Sequence, residues 1–375
     1  MRRVIAPRIH AWGRVIPEGA LEQLETLVAQ PYVVEHVAAM PDLHVAHGIA
    51  VGSVFATLDT VVPSALGGDL GCGMCAVRFD FPAARLGTAQ LQRLLVAMTK
   101  EIPVGDATHR GKGVAFDDET KLSTSSLEHV RSRLAPKHRG TLGGGNHFVE
   151  LDRDGGGDLW LLVHSGSRGL GSAIAAHHLR AAIVEGVGSI PGLRVESEAG
   201  KACLADLEWA FGFARENRRE LLRRATELVV GLTGQAPDES SHLDVHHNFV
   251  RAEHHFGRRL FVHRKGAISA EAGERALIPG SMGTASYIVE GLGSADSFRS
   301  ASHGAGRVMT RKEAHQQIRP ERFFQSMRRV VFDPRRRGLI EEAPAAYRDI
   351  GEVLEDESDL VVPRVRLEPI AVLKG

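Results

Sequence analysis

Apolar and polar positions alternate along this chain in two rhythms. Residues 17–30 place Leu21, Leu24, Leu27 and Val28 on one face at helical spacing, which predicts an amphipathic helix. Residues 204–233 repeat that rhythm over a longer stretch rich in Ala, Leu, Glu and Arg, and Gly234 is placed to end it. The arginines of that stretch, Arg215, Arg218, Arg219, Arg223 and Arg224, predict a solvated face. Short apolar runs at 49–55, 76–81, 159–163, 260–263 and 286–290 predict strands, the first of them entered through Pro41-Asp42-Leu43-His44. Helical and strand signals interleave, and there is no internal repeat, low-complexity tract or linker. Residues 186–192 are the weakest point, but a boundary there would divide the candidate chemistry described below. The expectation is an α+β fold in a single domain spanning residues 1–375.

Composition narrows the class. Hydrophobic residues make up 43% of the 375 positions, enough for a substantial core. Lys+Arg and Asp+Glu both number 46, so any basic groove for nucleic acid must be offset by acidic surface elsewhere. A basic cluster of Arg328, Arg329, Arg335, Arg336 and Arg337 flanks Val330–Phe332; it reads as exposed loop, with phosphate steering as the alternative. Three cysteines argue against a disulfide framework and for a reducing compartment. No run approaches the ~18 apolar residues of a membrane span, and no signal-peptide pattern follows the basic start. A cytoplasmic protein is expected.

Chemistry concentrates in five glycine-rich islands: 68–73 (GDLGCG), 143–147 (GGGNH), 164–169 (HSGSRG), 244–248 (DVHHN) and 302–307 (SHGAGR). Asp69 and Cys72 can face one point on a tight loop, and His147, His164 and His247 supply imidazoles from three others. One Cys, one Asp and three His exceed what a single tetrahedral ion holding substrate requires. Two ions sharing the thiolate fit better, with Mn, Co, Fe and Zn all compatible with the mixed donors. Cys72 and Cys75 form a CxxC, but no second cysteine pair exists, so Cys75 is expected to be a packed thiol. His303 reads equally as a sixth ligand or as a nucleophile at phosphorus. The loop 279–286 (PGSMGTAS) offers hydroxyls and backbone N–H groups for a phosphate or a base edge. Neither a Walker A loop nor a dinucleotide fingerprint occurs.

Taken in order, PDLHVAHG, GGDLGCGM, LGGGNHFVE, HSGSRGLG, DVHHNFV, HRKGA, IPGSMGTASYIV, SHGAGRVM and the final AVLKG resemble the RtcB family of RNA ligases, its shorter bacterial branch most of all. The resemblance implies that Asp69, Cys72, His147, His164 and His247 hold two Mn²⁺ ions with Cys72 bridging. His303 becomes the nucleophile that takes GMP from GTP. Asn146, Phe148, Glu150, Ser281, Ser286 and Lys374 match positions around the guanine nucleotide, while Arg168, Lys265 and Arg307 match phosphate- or RNA-binding positions. The implied reaction joins RNA ends bearing a 3′-phosphate or 2′,3′-cyclic phosphate to 5′-hydroxyl ends, in RNA repair or tRNA splicing. An archease-type activator is a further partner that the family admits. The residues alone also support a two-metal phosphoesterase that hydrolyses such phosphates without joining strands, and a silent RNA-binding relative, which would have lost ligands. Gly68 stands where relatives often have valine and Cys75 where they carry other small residues; neither change removes a ligand.

Overall fold

Strand alternation divides the side chains of two large sheets between an inner and an outer core. A computed structural model describes residues 1–111, 113–114, 120–336 and 338–375. The first sheet has six strands in the order Arg3–Ala6, Ile9–Ala11, Val33–His44, Val51–Thr57, Arg258–Lys265, Asn248–His255. The second has seven: Pro237–His246, Gly73–Pro82, Asp158–Ser165, Phe148–Asp154, Val361–Lys374, Ser286–Gly291, Arg275–Ile278. Val54 and Ala56 of the first sheet share a buried cluster with Ile278 and Val289 of the second, so the sheets face one another. Phe55, one register step from Val54, points to the opposite face and packs with Leu24 and Leu27 of the helix Glu18–Val28. In the second sheet Cys75, Val77 and Phe79 point outward to the helix Thr88–Glu101 and the long helix Glu198–Thr233. Met74 and Ala76 point inward. The result is an α+β arrangement with helices on the outer faces of two packed sheets.

The predicted elements are present with shifted ends. The helix expected over 17–30 is Glu18–Val28, and the long helix begins at Glu198, where the Ser197 hydroxyl caps Gly200 N–H at 3.0 Å. Gly234 ends it in the left-handed region at φ +72, as its position suggested. The strand expected over 49–55 is Val51–Thr57, and Pro41–His44 is not a lead-in but the end of the strand Val33–His44. No periodicity announced the strand Val361–Lys374, which lies in the second sheet between Phe148–Asp154 and Ser286–Gly291.

The solvated-face expectation fails for Arg218, whose side chain is 0% exposed. It stands in step with Phe211, Ala214, Leu221 and Ala225, all buried, so it occupies the apolar stripe of the helix. That 3-4-3-4 spacing was a usable signal in the sequence. Arg215, Arg219 and Arg223 are exposed, as expected, and Arg224 is half-buried. Cys75 is buried in the outer core, a packed thiol. Of the basic cluster, Arg328, Arg329 and Arg335 are exposed; Arg336 is half-buried and donates to the Lys374 carbonyl at 3.0 Å. Arg337 lies outside the described residues. No helix among the described residues is long and apolar enough to cross a membrane.

Candidate functional site

Four neighbouring strands of the second sheet run antiparallel, so alternate starts and ends meet at one edge. Cys72 precedes the strand Gly73–Pro82, His164 closes Asp158–Ser165, His147 precedes Phe148–Asp154 and His247 follows Pro237–His246. Gly73 pairs with both His246 and Ser165, and His164 with both Met74 and Phe148. Cys72 Sγ lies 3.5 Å from His147 Nε2 and 3.3 Å from His164 Nε2. His147 Nε2 is also 3.0 Å from Asp69 Oδ2, and the Nε2 atoms of His164 and His247 are 3.5 Å apart. Cys72, His147 and His164 form a buried group with ligand atoms within 4.8 Å of one another. The five predicted ligands therefore converge. The glycines permit that approach: a Cβ on Gly166 would lie 2.3 Å from Asp69 Oδ1.

The donor chemistry fits divalent metal. Nδ1 of His147 faces the Leu142 carbonyl at 2.8 Å and Nδ1 of His164 the Asn146 carbonyl at 3.0 Å, which orients both Nε2 lone pairs into the cluster. Burial first, and neighbouring imidazoles second, lower the His164 and His247 pKa values well below the usual histidine range, leaving neutral ligands. Burial and then Asp69 push the Cys72 thiol up; a cation is what would hold it as thiolate. Burial opposes ionisation of Asp69, but hydrogen bonding and charge at His147, with smaller contributions from Cys72 and Arg168, bring it down to about 2. Two backbone links lock the loops, His247 N–H to the Cys72 carbonyl at 2.9 Å and Gly71 N–H to the Asn248 carbonyl at 2.9 Å.

His303 follows the short strand Ser300–Ser302. Its ring stands edge-on to His247 with centroids 4.9 Å apart. Nδ1 lies 2.5 Å from Asp42 Oδ2, which also accepts from the His303 backbone N–H at 3.2 Å. Asp42 was not assigned from sequence, although it sits inside the island PDLHVAHG; a fully buried carboxylate beside a histidine is visible only in three dimensions. Behind it, Glu357 accepts from Ser302 N–H at 2.9 Å.

His303 forms part of the wall between two cavities. The larger, about 890 Å³, is lined by Asp69, Cys72, His247, Asn248, Lys265, Arg307 and Arg311 among others. The smaller, a slot of about 110 Å³, gathers Asn146, Phe148, Glu150, Ser281, Ser286 and Lys374, all six nucleotide positions that the resemblance implied. Lys374 reaches the slot because it pairs with Phe148 across the sheet, and its ammonium lies 5.4 Å over the Phe148 ring. Burial and the adjacent Asp152 raise the Glu150 pKa well above the ordinary carboxylate range, and burial takes Asp152 up to about 7. Glu342, which no motif signalled, is a hub. It accepts from Tyr347 OH at 2.5 Å, Arg307 at 3.2 Å and Arg311 at 3.3 Å, and lies 3.4 Å from Lys374.

The three phosphate candidates are less alike than sequence suggested. Lys265 borders the large cavity and donates to the carbonyls of His47 and Ile49 at 3.2 and 2.7 Å. Arg307 borders both cavities but is held by Glu342, Tyr347 and the Met309 and Glu341 carbonyls. Arg168 packs behind the ligand loops, donating to Thr141 Oγ1 at 3.3 Å and the Gly105 carbonyl at 3.5 Å.

These features define an α+β protein in which a thiol–carboxylate–imidazole cluster adjoins a histidine beside a buried carboxylate and a narrow slot. Comparison with known proteins gives the family. The family model described as tRNA-splicing ligase RtcB matches residues 23–132 and 115–375. The RNA-splicing ligase RtcB1 of Escherichia coli (strain ATCC 25922) is 34% identical over 398 residues, covering 98% of this chain and 97% of the relative. The RNA-splicing ligase RtcB of Mycobacterium tuberculosis (strain H37Rv) is 32% identical over 439 residues, with 94% and 100% covered. The tRNA-splicing ligase RtcB of Nanoarchaeum equitans is 27% identical over 453 residues, with 98% and 95% covered. The chain belongs to the RtcB family.

Proposed function

We propose that this chain joins RNA 3′-phosphate or 2′,3′-cyclic phosphate ends to 5′-hydroxyl ends, using GTP and two Mn²⁺ ions, through GMP held on His303. As a member of its family the chain is an RNA ligase enzyme with RNA as substrate. The cofactors, the intermediate, the site roles and a cytoplasmic setting in RNA repair or tRNA splicing are our proposal, as are a single catalytic domain and an archease-type activator. The observation that carries it is His303, fixed by Asp42 on the wall between the slot and the metal-ligand cluster. Hydrolysis alone would require neither that histidine nor the slot.

Asp42 keeps the His303 proton on Nδ1, so the Nε2 lone pair is free to attack the α-phosphorus of GTP. The N–P bond forms, the bond to the β-phosphate oxygen breaks and pyrophosphate leaves. In its ionised form Glu150 accepts from guanine N1–H and the N2 amino group, a donor pattern that adenine lacks. Phe148 and Lys374 line the base, and Asn146, Ser281 and Ser286 hold the nucleoside. Asp69, Cys72 and His147 would hold one ion and Cys72, His164 and His247 the other; the ions supply Lewis-acid stabilisation of phosphoryl charge. Water adds at the phosphorus of the cyclic phosphate and the bond to the 2′-oxygen breaks, leaving a 2′-hydroxyl and a 3′-phosphate. The 3′-phosphate then takes GMP from His303 as the N–P bond breaks. The 5′-hydroxyl of the second fragment attacks the activated end and expels GMP. Lys265 and Arg307, which line the cavities, steady the phosphates, and Arg168 adds its positive charge from behind the loops. The test incubates the protein with α-labelled GTP and Mn²⁺, then with RNA fragments bearing cyclic-phosphate and 5′-hydroxyl ends. Cleavage of the cyclic phosphate without labelled protein or joined RNA would favour the phosphoesterase.

Asp42→Asn should lower the guanylylation rate by about 10²–10⁴-fold, the range a carboxylate that orients a reacting imidazole contributes. Single-turnover labelling with Mn²⁺ content measured in parallel checks it; unchanged metal with a slowed rate is the expected pair. A second result concerns pH. Burial lowers the Lys265 pKa to about 8, so its ammonium is present below that pH and lost above it. Affinity for RNA ending in a 3′-phosphate should then fall by roughly tenfold between pH 7 and 9, one charge-assisted hydrogen bond. Lys265→Arg, charged throughout, should flatten the profile in an anisotropy titration.

A further inference from the structure

Arg218 lies midway along the helix Glu198–Thr233 and is fully buried. A guanidinium out of water is costly unless its donors are paired. Here Nη1 donates to two carbonyls, Gly71 at 2.8 Å and Ser165 at 3.2 Å. Nε and Nη2 donate to the two oxygens of Asp244 at 3.2 and 2.5 Å. The remaining Nη2 hydrogen faces His246, whose Nδ1 is 3.2 Å from Nη2 and 2.8 Å from the Gly71 carbonyl. With its proton on Nδ1, His246 donates to that carbonyl, which then receives two hydrogen bonds.

The acceptors are not scattered. Gly71 immediately precedes Cys72, Ser165 immediately follows His164, and Asp244 and His246 lead into His247. Asn217, the adjacent residue, holds another loop: its side chain accepts from Gly140 N–H at 2.7 Å and donates to the Thr141 carbonyl at 3.2 Å and to Ser165 Oγ at 3.1 Å. That loop contains Leu142, whose carbonyl orients His147. The helix can come this close because Gly71, at φ +67, has no side chain. A Cβ there would meet Ala214 Cβ and Phe211 Cα at 3.0 Å.

We infer that Arg218 is the positioning residue of the ligand cluster, its planar fork setting the relative placement of the Cys72, His164 and His247 loops for metal. This rests on the proposal that those residues hold metal. One rigid group with five donors spans three chain segments separated by 94 and 79 positions, from Gly71 to Ser165 and from Ser165 to Asp244. A lysine ammonium carries equal charge but cannot reproduce two parallel carboxylate bonds and two carbonyl bonds at once. Asp244 acts with Arg218, because its bidentate contact sets the plane of the guanidinium.

The test separates metal organisation from folding. Replacing a buried ion pair by apolar residues of similar volume is often neutral for stability. The double variant Arg218→Met/Asp244→Leu should therefore fold, with a melting temperature close to wild type, while losing the fork. Metal-free protein is titrated with Co²⁺, read by the sulfur-to-cobalt charge-transfer band and by equilibrium dialysis. The double variant and Arg218→Lys should each bind about 10–100-fold more weakly, the usual loss when a ligand's support is removed. Asp206→Asn is the control on the same helix. Asp206 is buried and contacts His178 and Ser123 rather than the ligand loops, so its substitution should leave Co²⁺ affinity unchanged. Wild-type affinity in a folded double variant and a folded Arg218→Lys would overturn the inference. So would equal weakening by Asp206→Asn, or failure of both Arg218 variants to fold, which would make the pair a requirement of the fold. A wild type that binds no Co²⁺ would instead defeat the metal assignment itself.

Discussion

His303→Ala is expected to abolish the labelled GMP adduct, with RNA joining reduced by on the order of 10⁴-fold or more, as when a nucleophile is removed outright. Metal content should stay at the wild-type value. Its ring meets the cluster in a T-shaped contact with His247, and its Nδ1 lies 2.5 Å from Asp42 Oδ2. Measuring adduct and metal together separates the two roles the residues left open. A sixth ligand would cost bound metal when truncated; a nucleophile costs only the adduct. His303→Gln makes the same comparison with most of the side-chain volume kept. Undiminished labelling in either variant would place the nucleotide on another residue and overturn the proposed reaction path.

Cys72→Ala should give the second large effect, for a different reason. Its thiol lies within 3.5 Å of the Nε2 atoms of His147 and His164, and Cys72 is the one cysteine of that group among the described residues. Loss of a shared ligand should drop metal content below two ions per chain. Guanylylation should fall by at least about 10³-fold, because metal stabilisation of phosphoryl charge is worth several kcal/mol at about 1.4 kcal/mol per factor of ten. Cys75→Ala is the contrast. Cys75 sits in the outer core with its thiol directed at the Arg218 carbonyl at 3.8 Å. Trimming it should cost about 1 kcal/mol of stability through the small cavity left, with metal content and labelling near wild type. Equal damage from both substitutions would restore the CxxC pair as a metal site. Metal analysis, thermal melts and labelling on the same preparations make the comparison complete.

Much of the site was legible because its chemistry is carried by residue types that are uncommon beside glycine. Cys72, His147 and His164 each stand in an island whose glycines mark a loop needing close approach, and they do converge. What stayed hidden was support. Asp42 belongs to a strand that the run Pro41–His44 did not announce, and its value depends on His303, 261 positions away. Glu342 lies in a short 3-10 turn without a motif, yet four side chains converge on it. Arg218 was misplaced because an arginine among arginines reads as surface. Only its register with Phe211, Ala214, Leu221 and Ala225 said otherwise.

The sequence by itself determined the local elements and the chemical kinds of group: helix where apolar residues recur at 3.6, strand where they run short, loops where glycine stands beside Cys, Asp or His. These are properties of neighbours along the chain, and neighbours are enough to set them. Only the tertiary structure decided that the starts of Gly73–Pro82 and Phe148–Asp154 share an edge with the ends of Asp158–Ser165 and Pro237–His246. It also decided that Lys374 crosses to Phe148, and that one buried guanidinium touches Gly71, Ser165 and Asp244 at once. The physical reason is that sheet order and register are fixed by burial of whole faces and by satisfaction of distant polar groups. Neither quantity is written in any single segment.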